Sequence, residues 1–353
     1  MNILLWSSSF HPNIGGIESM TEMLGREFTT MGHQVTVITR TVESPSSSAD
    51  FPFTVVRKPS WYQLIRLVAA CDVFVHNHLS LKVAFPLLLF RRPWVVAYHC
   101  FYPNSGIRGW LQPLLSRFAL NVACSDAVAE YTRPKCLVMP NAYDDRTFRK
   151  AERSAREREL IFLGRLIIDK GVQLLLEALT LLRAEGIRPR LTVVGEGPDS
   201  DYLKGKSWDL GLTDQVEFIG KRTGPTLAAI LNCHQILVVP TLSPEPFGIV
   251  ALEAIACGCI VLGSEGGGLK EAIGPCGVTF PNGDASALAK TLSSLLRSPE
   301  TWPQYRQYAE DHLRKHASAM VASAYMDVIE RAVSGGLRRN QNHRSQRKSG
   351  IQF

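Results

Sequence analysis

Residues Leu237–Glu271 read LVVPTLSPEPFGIVALEAIACGCIVLGSEGGGLKE. The apolar run from Ile236 to Pro240 fits a parallel strand covered on both faces. Pro246 falls where the first turn of a helix tolerates proline. The spacing of Ile249, Val250, Leu252, Ile255 and Ala256 then predicts a helix that runs to Gly258, a natural residue just past a helix end. Ile260–Leu262 reads as the next strand, so the stretch is one strand–helix–strand unit. Glu245 stands just before the helix and Glu253 about two turns further on. Gly248 removes a side chain beside the first-turn amides, which opens the backbone to an anionic or hydroxyl-rich ligand.

Working outward, the same alternation of short apolar runs and helical patterns fills the chain, the pattern of parallel α/β units. Upstream strands are expected at Ile3–Trp6, Val35–Thr39, Phe53–Val56, Val73–His76, Trp94–His99, Asn121–Ala123 and Leu137–Met139, with a helix from about Ile17 to Met31. The second half restarts at Leu160–Leu163. It continues with a helix from Gly171 to about Glu185 and strands at Leu191–Val194, Val216–Ile219, Ile236–Val239, Ile260–Leu262 and Val278–Phe280. The polar segment Asp144–Glu159 separates the halves. The expected division is 1–153, 154–310, a helical region over 303–333 packing back towards the first domain, and a basic disordered tail over 334–353. Ser44–Asp50 reads as a loop.

A chain of 353 residues suits two domains, each with its own core. Its eight cysteines contain no C-x-x-C pair and lie mostly in apolar runs, which points to buried reduced thiols and not to a zinc site or disulfide framework. Cys257-x-Cys259 with His234 lacks ligand spacing. The first residues lack a basic leader and no apolar run is long enough to span a bilayer, so a cytoplasmic location, at the inner face of a membrane, is expected. Of the net charge of +7, five units come from the bases after Leu337; residues 51–125 carry eight Lys or Arg against one acid, Asp72.

Three further places carry chemistry. In PNIGGIE (Pro12–Glu18), paired glycines Gly15 and Gly16 at the mouth of a helix let backbone amides meet a phosphate; a plain structural turn is the alternative. In GRLIIDKG (Gly164–Gly171), Arg165 and Lys170 sit between a strand and a helix, where a forked donor and a point charge reach one diphosphate. Solvated surface bases are the bland alternative. His99 stands apart from the other histidines by ending a strand at the sheet's carboxyl edge. The glycines of Val193–Pro198 read as geometric.

Together, E-P-F-G-x4-E, G-R-x4-K-G and P-x-x-G-G-x-E resemble the retaining glycosyltransferases of family 4 (group 1, GT-B fold). The resemblance covers the chain to about residue 330. It implies two doubly wound Rossmann-like domains whose parallel sheets face a central cleft. It also implies a nucleotide-diphosphate sugar donor, UDP- or GDP-linked, with no other cofactor and no metal. By resemblance, Glu253 holds the ribose hydroxyls and Glu245 a hydroxyl of the donor sugar. The amides of Phe247, Gly248 and Ile249 hold sugar hydroxyls and phosphate, and the Gly15-Gly16 loop approaches the diphosphate. Arg165 and Lys170 neutralise the leaving nucleoside diphosphate, His99 touches the sugar, and Phe218–Arg222 surrounds the base.

The expected partners are the nucleotide-sugar donor and a carbohydrate or lipid-linked acceptor in polysaccharide or glycolipid synthesis. The basic half adds peripheral contact with an anionic membrane. It interleaves Arg66, Lys82, Arg91, Arg92, Arg108 and Arg117 with Trp61, Phe90, Trp94 and Trp110, and Gly106–Leu120 has the pattern of an amphipathic helix limited by Pro113. A glycoside phosphorylase using the same site and a non-catalytic sugar- or nucleic-acid-binding protein are the alternatives. No nucleic-acid motif accompanies the charge, so nucleic acid is not the expected partner.

Overall fold

The computed structural model describes residues 1–43, 50–102, 111, 114–132, 134–152 and 156–348, the side chains of 336–348 excepted. The chain forms two compact units, Met1–Ala142 with Ser318–Phe353, and Tyr143–Ala317. The first unit contains strands β1 (Asn2–Ser7), β2 (Gln34–Thr39), β3 (Thr54–Arg57), β4 (Val73–His76), β5 (Trp94–Tyr98), β6 (Leu120–Ala123) and β7 (Leu137–Val138). Every neighbouring pair is parallel, in the order β3-β2-β1-β4-β5-β6-β7. The second contains β8 (Arg158–Leu163), β9 (Leu191–Val194), β10 (Val216–Gly220), β11 (His234–Val239), β12 (Ile260–Ser264) and β13 (Gly277–Phe280), also all parallel, ordered β10-β9-β8-β11-β12-β13.

Every strand expected from the sequence is present, because a strand covered on both faces must be apolar along its whole length. β4, β5 and β9 are buried at every residue. In each sheet the winding reverses between two adjacent strands, β1 and β4 in the first and β8 and β11 in the second. The loops after such a pair diverge to opposite sides and leave a crevice at the carboxyl edge, the usual ligand site of an open α/β sheet. One large apolar cluster fills a face of the second unit, where the helix Val172–Ala184 packs against the helix Ala285–Arg297.

Several boundaries differ from expectation. The helix bearing Glu253 begins at Ile249, because its cap Gly248 has φ 96°, a left-handed value no right-handed helix contains. Pro246 therefore precedes the helix, and Glu253 lies little more than one turn into it. The first unit ends at Ala142 and not at residue 153. The following segment belongs to the second unit, since the Ala151 N–H donates to Asn232 Oδ1 (2.8 Å) and Arg156 Nη1 donates to the His234 carbonyl (2.8 Å). The region over 303–333 is three helices, Trp302–Arg306, Ala309–Arg314 and Ser318–Lys348.

The last of these lies on the helix Gly16–Thr30 and on β4 and β5, with Val321, Ala322, Tyr325, Met326 and Ile329 buried. It continues through Lys348, where disorder was expected. Extending a docked helix fixes few dihedrals per added bond, and Arg, Gln and Lys are good helix formers. Most of the Ser44–Asp50 loop, and Arg108, Trp110 and Pro113 of the expected amphipathic helix, lie outside the described residues.

Candidate functional site

In the second unit the two loops at the winding reversal are joined directly. The loop after β8 carries Gly164–Gly171 and the loop after β11 carries Pro240–Gly248. The Leu242 N–H donates to the Asp169 carbonyl (2.8 Å), and Lys170 Nζ donates to Glu245 Oε2 (2.5 Å). Both side chains of that ion pair keep some exposure, 27% for Lys170 and 18% for Glu245, so a ligand can reach them. The close loop approach explains two of the glycines. Gly171 has φ 73° and a Cβ there would strike the Pro240 carbonyl; Gly267 has φ 72° and a Cβ would strike the Glu245 carbonyl. The Gly268 N–H donates to that same Glu245 carbonyl (2.7 Å), which fixes the backbone under the acid.

The helix Ile249–Ala256 starts from Gly248 with no side-chain cap, so its first turn presents amide N–H groups towards the loop. A Cβ on Gly248 would come within 2.7 Å of Leu269 Cδ1. The Phe247 ring is buried and lies 5.6 Å from the His316 ring, which leaves its amide as the group available to a ligand. Burial pushes the Glu253 carboxyl up to about 8, and the charge of Asp144 adds to the shift. At neutral pH this acid is largely protonated, and donors that favour its charged form, such as a vicinal diol, would bind it with release of a proton.

Arg165 is exposed and makes no side-chain hydrogen bond or ion pair among the described residues, so it stands outside the Lys170–Glu245 contact. The Val193–Pro198 turn is geometric, since a Cβ on Gly195 would strike the Gly164 carbonyl and one on Gly197 the Leu166 carbonyl. Within Phe218–Arg222, the strand register shifts between Phe218 and Gly220, and the Lys221 N–H donates to Glu196 Oε1 (3.4 Å).

In the first unit the loop after β1 is held by Arg57, whose Nη1 donates to the His11 carbonyl (2.8 Å). Gly15 is extended, and its lack of a side chain leaves room for the Glu18 carboxylate, 2.6 Å from where a Cβ would sit. Gly16 opens the helix Gly16–Thr30. His99 follows β5. Its Nδ1 lies 2.9 Å from Asn141 Oδ1, which makes Nδ1 the protonated nitrogen, and its buried Nε2 has no partner among the described residues. Burial holds His99 down to about 4, against a smaller opposing effect of the Asn141 hydrogen bond. A neutral ring with a bare Nε2 lone pair can accept a hydroxyl hydrogen bond.

Sequence reasoning missed Asn141 and Asp144, which act on His99 and Glu253. Both lie in Pro140-Asn141-Ala142-Tyr143-Asp144, directly after the last strand of the first unit, and their polarity at a unit boundary was the available signal. Trp94 and Phe90, expected on the surface, belong to the interior: Trp94 is buried beside His76, and Phe90 packs on the cluster of Trp6 and Phe74. Among the cysteines, all free, Cys233 is exposed. Burial pushes Cys257 up to about 12 and Cys259 to about 11, so both stay protonated. Both ring nitrogens of His234 are already engaged, by Ile230 and Thr192. No group of three or more metal-ligating side chains occurs among the described residues.

Two parallel sheets of this winding, one per unit, define a GT-B architecture. The family described as glycosyl transferases group 1 matches residues 144–312, and the one described as glycosyltransferase family 4 matches residues 14–145. The chain belongs to the group 1, family 4 glycosyltransferases. A phosphatidyl-myo-inositol mannosyltransferase of Mycobacterium leprae is 27% identical over 237 residues, covering 65% of this chain and 63% of that protein. An uncharacterized glycosyltransferase of Methanocaldococcus jannaschii is 38% identical over 117 residues, covering 33% and 30%. The chain thus spans less than two thirds of the length of these curated relatives. HepE of Anabaena, solved with UDP and glucose, has the same fold, with a TM-score of 0.77 at 19% identity over 93% of this chain and 99% of that one.

Proposed function

We propose that the chain is a retaining, metal-independent hexosyltransferase. It takes the sugar from a UDP- or GDP-linked donor and delivers it to a carbohydrate or lipid-linked acceptor in polysaccharide or glycolipid synthesis, at the inner face of a membrane. The observation that carries this is the Lys170–Glu245 pair bridging the two loops at the winding reversal, with Glu253 in the helix that follows. Glu253 receives the ribose hydroxyls, Glu245 a sugar hydroxyl, and the amides of Phe247, Gly248 and Ile249 the sugar and phosphate oxygens.

The bond from the anomeric carbon to the phosphate oxygen breaks with its electron pair moving to that oxygen. The acceptor hydroxyl forms the new bond on the same face, and its proton passes to the departing phosphate. Lys170 and Arg165 lower the barrier by stabilising the negative charge that grows there. The UDP and glucose bound by HepE, and the mannosyl transfer named for the mycobacterial relative, support this class of donor and reaction.

The test is a panel of nucleotide sugars with nucleoside diphosphate release as the readout, with and without membrane lipid. Selective release with one donor, lost in Glu253→Ala, is expected. Sugar-phosphate formation that depends on orthophosphate would replace the reading with a phosphorylase. Salt-sensitive RNA or DNA binding without donor turnover would replace it with a binding protein.

A further inference from the structure

The first unit carries a surface that the donor chemistry does not use. The helix Trp61–Ala70 turns Leu64 and Val68 into the core with Trp6 and Phe74. Its other side holds Trp61 and Tyr62, 59% and 69% exposed. The 3-10 turn Phe85–Leu88 packs against this helix and adds Phe85, Leu88 and Leu89, 49%, 67% and 60% exposed. The Trp61 and Phe85 rings meet edge to face at 6.4 Å, and the Arg66 guanidinium lies over the Tyr62 ring at 5.7 Å. The two elements therefore present one apolar patch.

Charge decides what covers it. Arg66 on this helix, Lys82 in the short helix Leu81–Ala84 before the turn, and Arg91 just after it are all exposed. The one acid in residues 51–125, Asp72, is committed, its Oδ2 accepting the Asn2 N–H (2.7 Å). Large apolar side chains held out in water on ordered elements mark a contact surface. In a two-fold dimer the same patch would meet itself and set bases against bases. An anionic bilayer supplies an apolar layer for the aliphatic groups, an interface suited to Trp and Tyr rings, and negative headgroups for the bases. No described helix is long and apolar enough to cross a membrane, so the contact is peripheral.

We propose that Trp61, Tyr62, Phe85, Leu88 and Leu89, flanked by Arg66, Lys82 and Arg91, seat the chain on an anionic lipid surface. This deepens the acceptor side of the proposed function, yet its test does not depend on turnover. The full chain is floated with vesicles of phosphatidylcholine containing about a third phosphatidylglycerol, or of phosphatidylcholine alone. The unaltered chain is expected to float with the anionic vesicles and to be released by high salt. Trp61→Ser with Leu88→Ser should weaken partitioning at least about tenfold. Arg66→Gln with Arg91→Gln should weaken it by about fivefold per base.

Because these residues are exposed, both variants should keep the parent's thermal midpoint and its nucleoside diphosphate release in lipid-free buffer. Three results overturn the proposal: no binding by the parent, anionic binding unchanged in the Trp61/Leu88 variant, or self-association of the parent that this variant abolishes. The second assigns binding to the basic tail and the third assigns the patch to a second copy. A failed flotation with intact donor turnover removes this surface alone, whereas lost turnover with intact flotation removes the enzymatic reading alone.

Discussion

Replacing Glu253 by glutamine keeps the side chain's shape and removes one titration from the second unit. In the folded chain burial first, and Asp144 second, raise this carboxyl from 4.5 to about 8. Unfolded, the same group releases its proton near its ordinary value. Between those limits the unfolded chain has lost a proton the folded chain retains, so unfolding gains ground as pH rises. The penalty is absent below about pH 4.5, grows through neutrality and is complete above about pH 8. At about 1.4 kcal/mol per unit, the full shift corresponds to roughly 5 kcal/mol. Glu253 keeps partial contact with water, which reduces the expected effect to about 2–3 kcal/mol.

The assay is urea unfolding at pH 5, 7 and 8.5, followed by tryptophan fluorescence, to which Trp208 and Trp302 contribute from the second unit. Glu253→Gln should match the parent at pH 5 and exceed its stability by that margin at pH 8.5. Asp144→Asn, which removes the secondary cause, should lower the folded value of Glu253, so that the loss of stability ends at a lower pH than in the parent and is smaller in total. Parallel pH slopes for parent and Glu253→Gln would refute the reasoning, because no buried neutral carboxyl would then exist at this position.

Other outcomes follow from the same geometry. Lys170→Ala should change unfolding free energy by no more than about 1 kcal/mol, the scale of a partly exposed ion pair, while nucleoside diphosphate release falls by about a hundredfold or more; unchanged turnover would remove Lys170 from the site. Gly248→Ala should cost about 1–3 kcal/mol in a thermal or urea melt, from its φ of 96° and the approach to Leu269. Asn141→Leu should leave His99 Nδ1 without its acceptor. The expected result is a mixture of ring tautomers in imidazole nitrogen NMR and a loss of about 1–3 kcal/mol. His76 and His99, held down to about 3 and about 4 by burial, titrate in the opposite sense to Glu253. The first unit should lose stability as pH falls below about 6.5, with the loss levelling near pH 3, in acid unfolding followed by circular dichroism.

The strands, the two-domain organisation and the glycine-marked turns were legible in the sequence, because each is a local or periodic demand. A strand buried on both faces admits only apolar residues, as in Val73–His76 and Leu191–Val194. A left-handed position such as Gly248 or Gly171 all but requires glycine. The sequence also marked Lys170, Glu245, Glu253 and His99 as candidates, through their places beside strand ends and helix starts together with the family resemblance of the motifs around them. Where the Glu253 helix begins was missed, since proline is compatible with a first turn and only the backbone angle of Gly248 excludes it.

The pairings were decided by tertiary structure. That Lys170 meets Glu245 depends on β8 lying beside β11 in the sheet order, and nothing local in either segment encodes which strands become neighbours. The same holds for Asn141 beside His99 and Asp144 beside Glu253, where burial and a neighbouring group set protonation states that the residue names leave open. Trp61 and Trp94 look alike in a basic, aromatic stretch, yet one is exposed and the other interior. Which face a residue turns to water is fixed by the elements packed against it, and those come from distant parts of the chain.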